Sequence, residues 1–386
     1  MDFAGNPDHE LLRESVAKLG AQFGHRYYLE ASKTGAKTTE LWQAASDHGY
    51  LSVNLPEEYG GGGQGVSELS IVCEELAAQG CPLLLILVSS AICGELITRF
   101  ATVEQRQAWL PRLVAGEKIA FAITEPDAGS NSHNISTTAT RDGDRWVLQG
   151  TKYYISGVDE SCAVLIVART ATDEETGRAR LSLFLVDADA PGLQRTLIPV
   201  EICSPEKQFT LFMDQVSVGA DRLIGDAGDG LRQVFYGLNP ERITGAAIST
   251  GIGRYALGRA VAYARQRSVW GAPIGTHQGI AHPMAAAKIE LELARLMMAK
   301  ASWLHDHDGD PGAAGEAANM AKSAAADAAL HCLDAAIQTH GGNGMATEFG
   351  LADLWGITRL LRIAPVSREM ILNFVAQHSL GLPRSY

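Results

Sequence analysis

The sequence lacks the features of several protein classes. It has no apolar run near the roughly 18 residues that a membrane-spanning helix needs. Its first residues show no basic segment followed by an apolar core, as a secretory signal would. Lys and Arg form no cluster, and the formal net charge is -12, which argues against nucleic-acid binding. We therefore expect a cytoplasmic protein that neither spans a membrane nor binds nucleic acid.

Pairs of cysteines at metal-binding spacing are absent as well, so neither a disulfide framework nor a zinc cluster is indicated. We interpret the cysteines as small buried hydrophobic side chains. The segment "HDHDGDPG" contains His305, Asp306, His307 and Asp308, but alternate residues do not converge on one face of a helix. It predicts a polar turn between helices, and no metal is expected. The six cysteines are Cys73, Cys81, Cys93, Cys162, Cys203 and Cys332.

The chain has 386 residues, of which 46% are hydrophobic, and this length favours two or three domains. Apolar residues recur at helical spacing up to residue 118. Short β-branched and aromatic runs follow from 119 to 226, and long Ala-rich helical segments from 227 to 386. The pattern predicts an α+β protein with an N-terminal helical domain, a central antiparallel β domain and a C-terminal helical bundle.

The segment "AFAITEPDAGSNSHNISTTA" opens the β region. Its hydroxyls and free backbone N–H groups, in a loop bounded by glycine, suit a ring with carbonyl and imide edges, or a phosphate. A turn that merely starts a strand is the alternative interpretation. The pattern TEPxAGS from Thr124 to Ser130, followed by "GTKYYISG", resembles the flavin-binding part of the acyl-CoA dehydrogenase family.

Two later segments carry the same resemblance. "RQRSVWGAPIGTHQGI" is similar to the RxxFG…Q segment of the family, and "QTHGGNGMATEF" to its QxxGGxG segment. The segments occur in family order over roughly residues 10 to 380. The resemblance implies the same three-domain order and an FAD cofactor. The cofactor-binding residues that it implies are Phe121, Ile123, Thr124, Tyr154, Ser156, Arg267, Trp270, His277, Gln278, Gln338, Gly341, Gly342, Ser367 and Glu369.

The resemblance also assigns parts to individual residues and partners. Ser156 would bond the flavin edge near N5, and Tyr154 stands where the family usually has Trp. Arg267 would pair with the FAD pyrophosphate of a neighbouring subunit, which makes an oligomer necessary, typically a homotetramer. The substrate would be an acyl-CoA, and an electron-transfer flavoprotein would accept the electrons. The implied substrate-binding residues are Ser130, Asn239 and Arg242.

The catalytic base is less usual. Most of the family takes a Glu from a C-terminal YEGTS segment, but the similar segment here, "RIAPVSREM", has Pro365 at that place. Isovaleryl-CoA and long-chain acyl-CoA dehydrogenases instead use a Glu-Arg pair ahead of the RxxFG segment, and "NPERI" has Glu241 and Arg242 there. Glu241 is thus the predicted base; a structural carboxylate neutralised by Arg242 is the alternative. Pro240 either opens a helix capped by Asn239, whose dipole would keep Glu241 ionised, or kinks a longer one.

The implied reaction removes a proton from the α-carbon of the acyl-CoA while a hydride leaves the β-carbon for flavin N5, giving a trans-2-enoyl-CoA. Pro365 removes the backbone N–H that usually helps to hold the thioester oxygen. A second interpretation is therefore a non-catalytic or half-catalytic subunit, paired with a paralogue in a heterotetramer. A third keeps fold and flavin but uses oxygen as the electron acceptor.

Overall fold

The N-terminal part of the chain is helical, as predicted. The computed structural model describes residues 6–307 and 311–384. Asn6 caps the first helix by accepting a hydrogen bond from the Asp8 N–H at 3.0 Å, and Thr102 and Gln105 form a reciprocal capping box on the fifth. The helices are α1 Pro7–Thr34, α2 Thr39–Asp47, α3 Val66–Ala78, α4 Glu95–Phe100 and α5 Val103–Val114, with a π-helical segment, Ile86–Gly94, directly before α4.

An eight-stranded sheet follows. Its strands pair in the order β6-β7-β3-β2-β4-β5-β8, and β1 pairs with β4. The sheet is antiparallel as predicted, except that β1 runs parallel to β4 and β2 meets β4 in parallel at one position. The strands are β1 Ile119–Ala122, β2 Thr138–Asp142, β3 Arg145–Ser156, β4 Ala163–Thr172, β5 Ala179–Asp187, β6 Leu193–Ile198, β7 Gln208–Gly219 and β8 Leu223–Ile224.

The last part of the chain is a bundle of long helices. Small residues let them approach closely: a Cβ atom on Gly251 of the first helix would lie 2.4 Å from the Glu74 carbonyl oxygen of α3. The helices are α6 Gly230–Gln266, α7 Gln278–Asp306, α8 Pro311–His340, α9 Trp355–Ile363 and α10 Arg368–Phe374, and a short ribbon of β9 Ser268–Val269 and β10 Ala272–Pro273 joins α6 to α7.

Buried carboxylates tie the N-terminal helices to the bundle. Glu74 is fully buried and receives hydrogen bonds from Arg13 at 2.6 Å and from Arg295 at 2.6 Å. Burial raises the pKa of this carboxyl, but Arg295 and Arg13 outweigh it and hold the pKa at about 2. Glu75 beside it pairs with Arg254 at 2.7 Å. Helices α1, α3, α6 and α7 are therefore joined by one ion-pair network.

The end of α7 has a structural part. Asp306, its last residue, accepts hydrogen bonds from the backbone N–H groups of Val66 at 2.8 Å and Ser67 at 2.9 Å. These groups open α3 and have no partner within their own helix, so Asp306 caps α3 from a distant part of the chain. Asp308, which we named with the same segment, lies outside the described residues. Within 6–307 and 311–384, no group of three or more His, Cys, Asp or Glu is arranged to hold a metal ion.

Two details differ from the expectations. Cys162 and Cys203 are only partly buried, whereas the other four cysteines are buried, and all six are free thiols. Pro240 lies inside α6, eleven residues into one continuous helix, so Asn239 is not a cap. Glu241 is then too far from the helix start to feel its dipole. In the described part of the chain, no helix has the length and apolar character needed to cross a membrane.

Candidate active site

A buried ion pair shapes the loop that follows β1. Lys152 of β3 is fully buried, and its Nζ lies 2.9 Å from Glu125 Oε1 and 3.0 Å from the Ile123 carbonyl oxygen. Glu125 also accepts hydrogen bonds from the backbone N–H groups of Ser136 at 2.7 Å and Thr137 at 3.0 Å. Burial raises the pKa of Glu125, but Lys152 and these donors lower it to about 2. The pair therefore fixes the course of residues 123–137.

The predicted flavin-edge residues lie beside this loop. The Tyr153 N–H donates to the Thr124 carbonyl at 2.8 Å, which joins the end of β3 to the segment after β1. Tyr154 follows with a left-handed backbone, φ 58°, and 53% of it is exposed. The Ser156 hydroxyl donates to Gln208 Oε1 at 3.0 Å. The structure thus brings Thr124, Tyr154 and Ser156 to one edge of the sheet and leaves an aromatic ring uncovered there.

Phe121 and Ile123 connect this edge to helix α6. Both pack, partly buried, against one hydrophobic cluster, and Leu238 of α6 packs against the same cluster. Cys93 of the π-helical segment belongs to that cluster and donates to the Ala120 carbonyl at 3.7 Å. The negative charge of Glu241 is near enough to add to the effect of burial in raising the pKa of Cys93. The predicted base and the predicted flavin edge therefore border a common region.

Glu241 is partly buried on α6. Burial of its carboxyl raises the pKa from the ordinary 4.5 to about 8, against the opposing attraction of Arg242 and Lys322. Of the two alternatives for Pro240, the structure shows the longer helix, so the helix dipole does not keep Glu241 ionised. Its position in mid-helix removes that field, and desolvation favours the neutral acid.

Arg242 is not a partner in a surface ion pair. It is buried, with 8% exposed, and its guanidinium donates to Asn239 Oδ1 at 2.8 Å. Its Nε has no hydrogen-bond partner among the described residues, and no ion pair within 4.0 Å joins it to Glu241. Burial lowers the pKa of Arg242, while Glu241 raises it. Glu241 and Arg242 therefore attract each other without a direct ion pair, and both interpretations of Glu241 stay predictions.

Pro365 lies close to the same part of α6. A Cβ atom on Gly245, one helical turn beyond Glu241, would be 3.9 Å from Pro365 Cδ and 3.7 Å from Leu87 Cδ2. These are ordinary van der Waals distances. Residue 365, the family's usual place for the base, thus lies near α6 one turn after residue 241, although the two are far apart in sequence.

A second group of predicted cofactor residues lies around the C-terminal end of α6. Trp270 is 90% exposed with φ 52°, and its ring is 5.9 Å from that of His277. The buried Nε2 of His277 has no partner among the described residues. Gly341, with φ 60°, and Gly342 have no atom within 4 Å of an added Cβ. Arg267, Gln278 and Gln338 are exposed in this group.

Within one subunit, this second group of predicted cofactor residues lies far from Glu241. Arg267 directly follows the last residue of α6, and at 1.5 Å per residue it lies roughly 39 Å along the helix from Glu241. The rings of Tyr263 and His340 stack at 4.2 Å and hold the end of α8 beside the end of α6. The glycines that follow His340 therefore stay at this remote end.

The remaining predicted residues have modest contacts in the structure. Ser367 caps α10, since its hydroxyl accepts from the Met370 N–H at 3.3 Å. Glu369 is exposed in the first turn of α10, and Ser130 is exposed in the loop after β1. Their contacts with cofactor and substrate stay predictions.

Two lysines with almost no exposed surface, Lys152 and Lys322, were not expected from the sequence, although it carries a signal for each. Lys152 stands at even spacing from Trp146 and Leu148, the inward residues of β3, so the strand period places it inside. Lys322 of α8 stands four residues after Ala318, on the alanine face that packs against the bundle. A charged residue on a buried face indicates a buried partner.

Three family models match the chain. The acyl-CoA dehydrogenase N-terminal domain matches residues 6–117, the middle domain residues 120–202, and the C-terminal domain residues 228–380. The chain belongs to the acyl-CoA dehydrogenase family. The predicted family, fold class and enzyme class are therefore confirmed.

This acyl-CoA dehydrogenase is similar over its whole length to known relatives. It is 54% identical to the acyl-CoA dehydrogenase FadE12 of Mycobacterium tuberculosis (strain ATCC 25618 / H37Rv), over 100% of this chain and 99% of the relative. Butyryl-CoA dehydrogenase from Megasphaera elsdenii superposes with a TM-score of 0.92 at 26% identity, over 98% of this chain and 100% of that one. The FAD complex of PigA superposes with a TM-score of 0.92 at 26% identity, over 99% of this chain and 100% of that one.

Proposed function

We propose that this chain catalyses the FAD-dependent α,β-dehydrogenation of an acyl-CoA, with Glu241 as the base. The observation that carries the proposal is the position and state of Glu241. Its carboxyl has a pKa of about 8 and lies one turn from the α6 face that Pro365 contacts. A general base is most effective when its pKa lies near the working pH. Pro365 itself can accept no proton.

The residues of this structure fit FAD. Tyr154 at the sheet edge and Trp270 at the remote end of α6 leave aromatic surface uncovered, which a flat ring or a partner subunit would bury. The unpartnered Nε2 of His277 and the open backbone at Gly341 and Gly342 suit a polar dinucleotide that approaches closely. When bound, FAD supplies the acceptor for the hydride that leaves the β-carbon.

Residues of the chain itself supply the other functions that the reaction needs. The Glu241 carboxylate takes the α-proton, and Arg242 and Lys322 favour its ionised form against the effect of burial. The Pro365 ring lies near Gly245, one turn beyond Glu241 on α6. Because Pro365 has no N–H, the next backbone donor is that of Val366, which donates to no other residue in the described ranges. We propose this N–H as a donor to the thioester oxygen.

We propose that each FAD is shared between two subunits. Arg267 and the glycines after α8 lie roughly 39 Å along α6 from Glu241, so they serve the FAD of a neighbouring subunit within a homotetramer. Arg267→Gln should release FAD on gel filtration, because a guanidinium pairs well with a pyrophosphate. Arg265→Gln, exposed two residues earlier, is the matched control and should keep its FAD. A colourless protein that gains FAD only with a paralogue would instead favour the heterotetramer.

We propose that an electron-transfer flavoprotein accepts the electrons and that the protein is located in the cytoplasm. Protein reduced by acyl-CoA without air should reoxidise on addition of an electron-transfer flavoprotein and only slowly in air. Rapid reoxidation in air would favour oxygen as the acceptor.

The test of the function is Glu241→Gln. The variant should stay yellow, because FAD binding does not need this carboxyl, but it should no longer bleach when acyl-CoA is added without air. Glu58→Gln, an exposed residue before α3, is the matched control and should bleach like the wild type. Bleaching retained in Glu241→Gln would refute Glu241 as the base.

A further inference from the structure

Lys322 is a buried lysine whose only role in the mechanism above is to favour the ionised form of Glu241. It is 1% exposed on α8, on a face where Ala318, Ala321 and Ala325 are fully buried. Burying an ammonium is unfavourable unless it has hydrogen bonds or opposite charges nearby. What surrounds Lys322 therefore indicates why the helix carries it.

The hydrogen bond of Lys322 is to the segment that contains Pro365. Its Nζ lies 2.5 Å from the Val366 carbonyl oxygen, in the connection between α9 and α10. This contact ties the connection to α8 next to the point where Pro365 faces Gly245 of α6. Lys322 thus holds the connection that contains Pro365 close to the part of α6 that follows Glu241.

Its charged surroundings come from three helices. Glu241 and Arg242 of α6, Asp327 of its own helix and Glu369 of α10 all act on Lys322. Burial lowers the pKa of Lys322 to about 8, so its positive charge is present mainly below that pH. Asp327 is already paired, since Arg362 and Arg368 lie 2.9 Å and 3.0 Å from its oxygens. Glu369 is exposed, so water screens its charge.

Neither Glu241 nor Glu369 forms an ion pair within 4.0 Å with a Lys or Arg of the described ranges, and Glu241 is the less exposed of the two. It therefore relies on cations at longer range, and those acting on it are Arg242 and Lys322.

We propose, on the basis of the function given above, that Lys322 is a positioning residue for the dehydrogenation. It holds the connection with Pro365 against the site through the Val366 carbonyl, and it keeps a positive charge near the Glu241 carboxylate. Removing the ammonium should make Glu241 harder to ionise, because one of two opposing cations is lost while the burial stays. At a given pH a smaller fraction of Glu241 is then available as a base.

The experiment separates the charge of Lys322 from its hydrogen bond. Lys322→Arg keeps the charge, Lys322→Gln keeps a donor to Val366 without the charge, and Lys322→Met keeps only bulk. The rate of anaerobic flavin bleaching is measured against pH for each FAD-loaded variant. We expect the acid limb of the pH–rate profile to lie about one pH unit higher in Lys322→Gln and Lys322→Met than in the wild type, roughly a tenfold loss of rate on that limb. In Lys322→Arg the acid limb should lie at or below its wild-type pH.

The hydrogen bond has its own readout. At high pH, where Glu241 is ionised in every variant, Lys322→Met should bleach more slowly than Lys322→Gln, since only Met leaves Val366 without a donor. Equal plateaus would overturn this part of the proposal. Lys18→Gln, an exposed lysine of α1, is the matched control for loss of one positive charge.

A second measurement does not depend on turnover. The stability difference between Glu241 and Glu241→Gln, followed against pH in the wild-type and the Lys322→Gln backgrounds, should begin near pH 4.5 in both but level off about one pH unit higher in the second. An unmoved limb and an unmoved stability profile in Lys322→Gln would overturn the inference and leave Glu241 as the base. Bleaching retained in Glu241→Gln would instead refute the function. If Lys322→Gln does not fold, a Lys322→Arg limb above the wild-type one overturns the proposal.

Discussion

Replacing Glu241 by Gln should stabilise the protein, and increasingly so as the pH rises. The folded-state pKa of Glu241 is raised from 4.5 to about 8, so folding opposes its ionisation. Its stabilising contribution is full below pH 4.5 and is lost as the pH rises through 8. Each pKa difference of one corresponds to about 1.4 kcal/mol. At pH 9 the ionised carboxyl therefore lowers the free energy of unfolding by at most about 5 kcal/mol.

The assay compares urea unfolding of the wild type and of Glu241→Gln between pH 4.5 and 9. The amide has the volume of the acid but carries no charge, so the two proteins should be nearly equal at pH 4.5 and differ most at pH 9. Glu58→Gln, an exposed position, should show no such divergence. A difference that is constant across this range would mean that Glu241 ionises as easily in the folded protein as in the unfolded chain, and the argument for a dry base would fail.

Three further predictions follow from the site and the bundle. The acid limb of kcat/KM should lie near pH 8, because kcat/KM reports the free enzyme and Glu241 must be deprotonated to act; a limb near pH 4.5 would contradict this. Lys152→Met should lower the free energy of unfolding by about 3–5 kcal/mol, since it leaves Glu125 buried without its partner. The wild type should lose this contribution as the pH falls from 4.5 to 2, because Glu125 is then protonated. An unchanged midpoint of urea unfolding in Lys152→Met would refute the importance of the pair. Gly251→Ala should destabilise strongly because its Cβ meets a carbonyl oxygen at 2.4 Å, whereas Gly245→Ala should be neutral or stabilising by under about 1 kcal/mol, which thermal unfolding of the two variants would decide.

Much of the architecture follows from local periodicity. The change from helical to strand spacing near residue 118, and back near residue 226, can be recognised from residues that are close together in the sequence. The parallel pairing of β1 with β4 does not follow in this way. It depends on residues 119 and 163 meeting across the sheet, and alternation of side chains is the same in parallel and antiparallel strands.

The same distinction between local sequence and tertiary packing applies to the candidate site. Glu241 could be found from its place beside Arg242 in a segment that resembles the family, and Pro365 from what it lacks. The state of Glu241 could not be found, because the pKa of about 8 comes from burial of its carboxyl in the folded chain, which local sequence does not reveal. Pro240 gave two readings that local rules could not separate. The packing of α6 through Gly251 favours a helix that continues.

The cap that Asp306 places on α3 bears on how this chain can be divided in the laboratory. The helix start at Val66 depends on a carboxylate 240 positions later in sequence, and Glu74 depends on Arg295. A recombinant fragment that ends after the sheet would leave that start unsatisfied and bury an anion without its main counterion. Sequence segments that recur as separate family models are therefore poor units for excision, and domain exchange between relatives should carry α3 and α7 together.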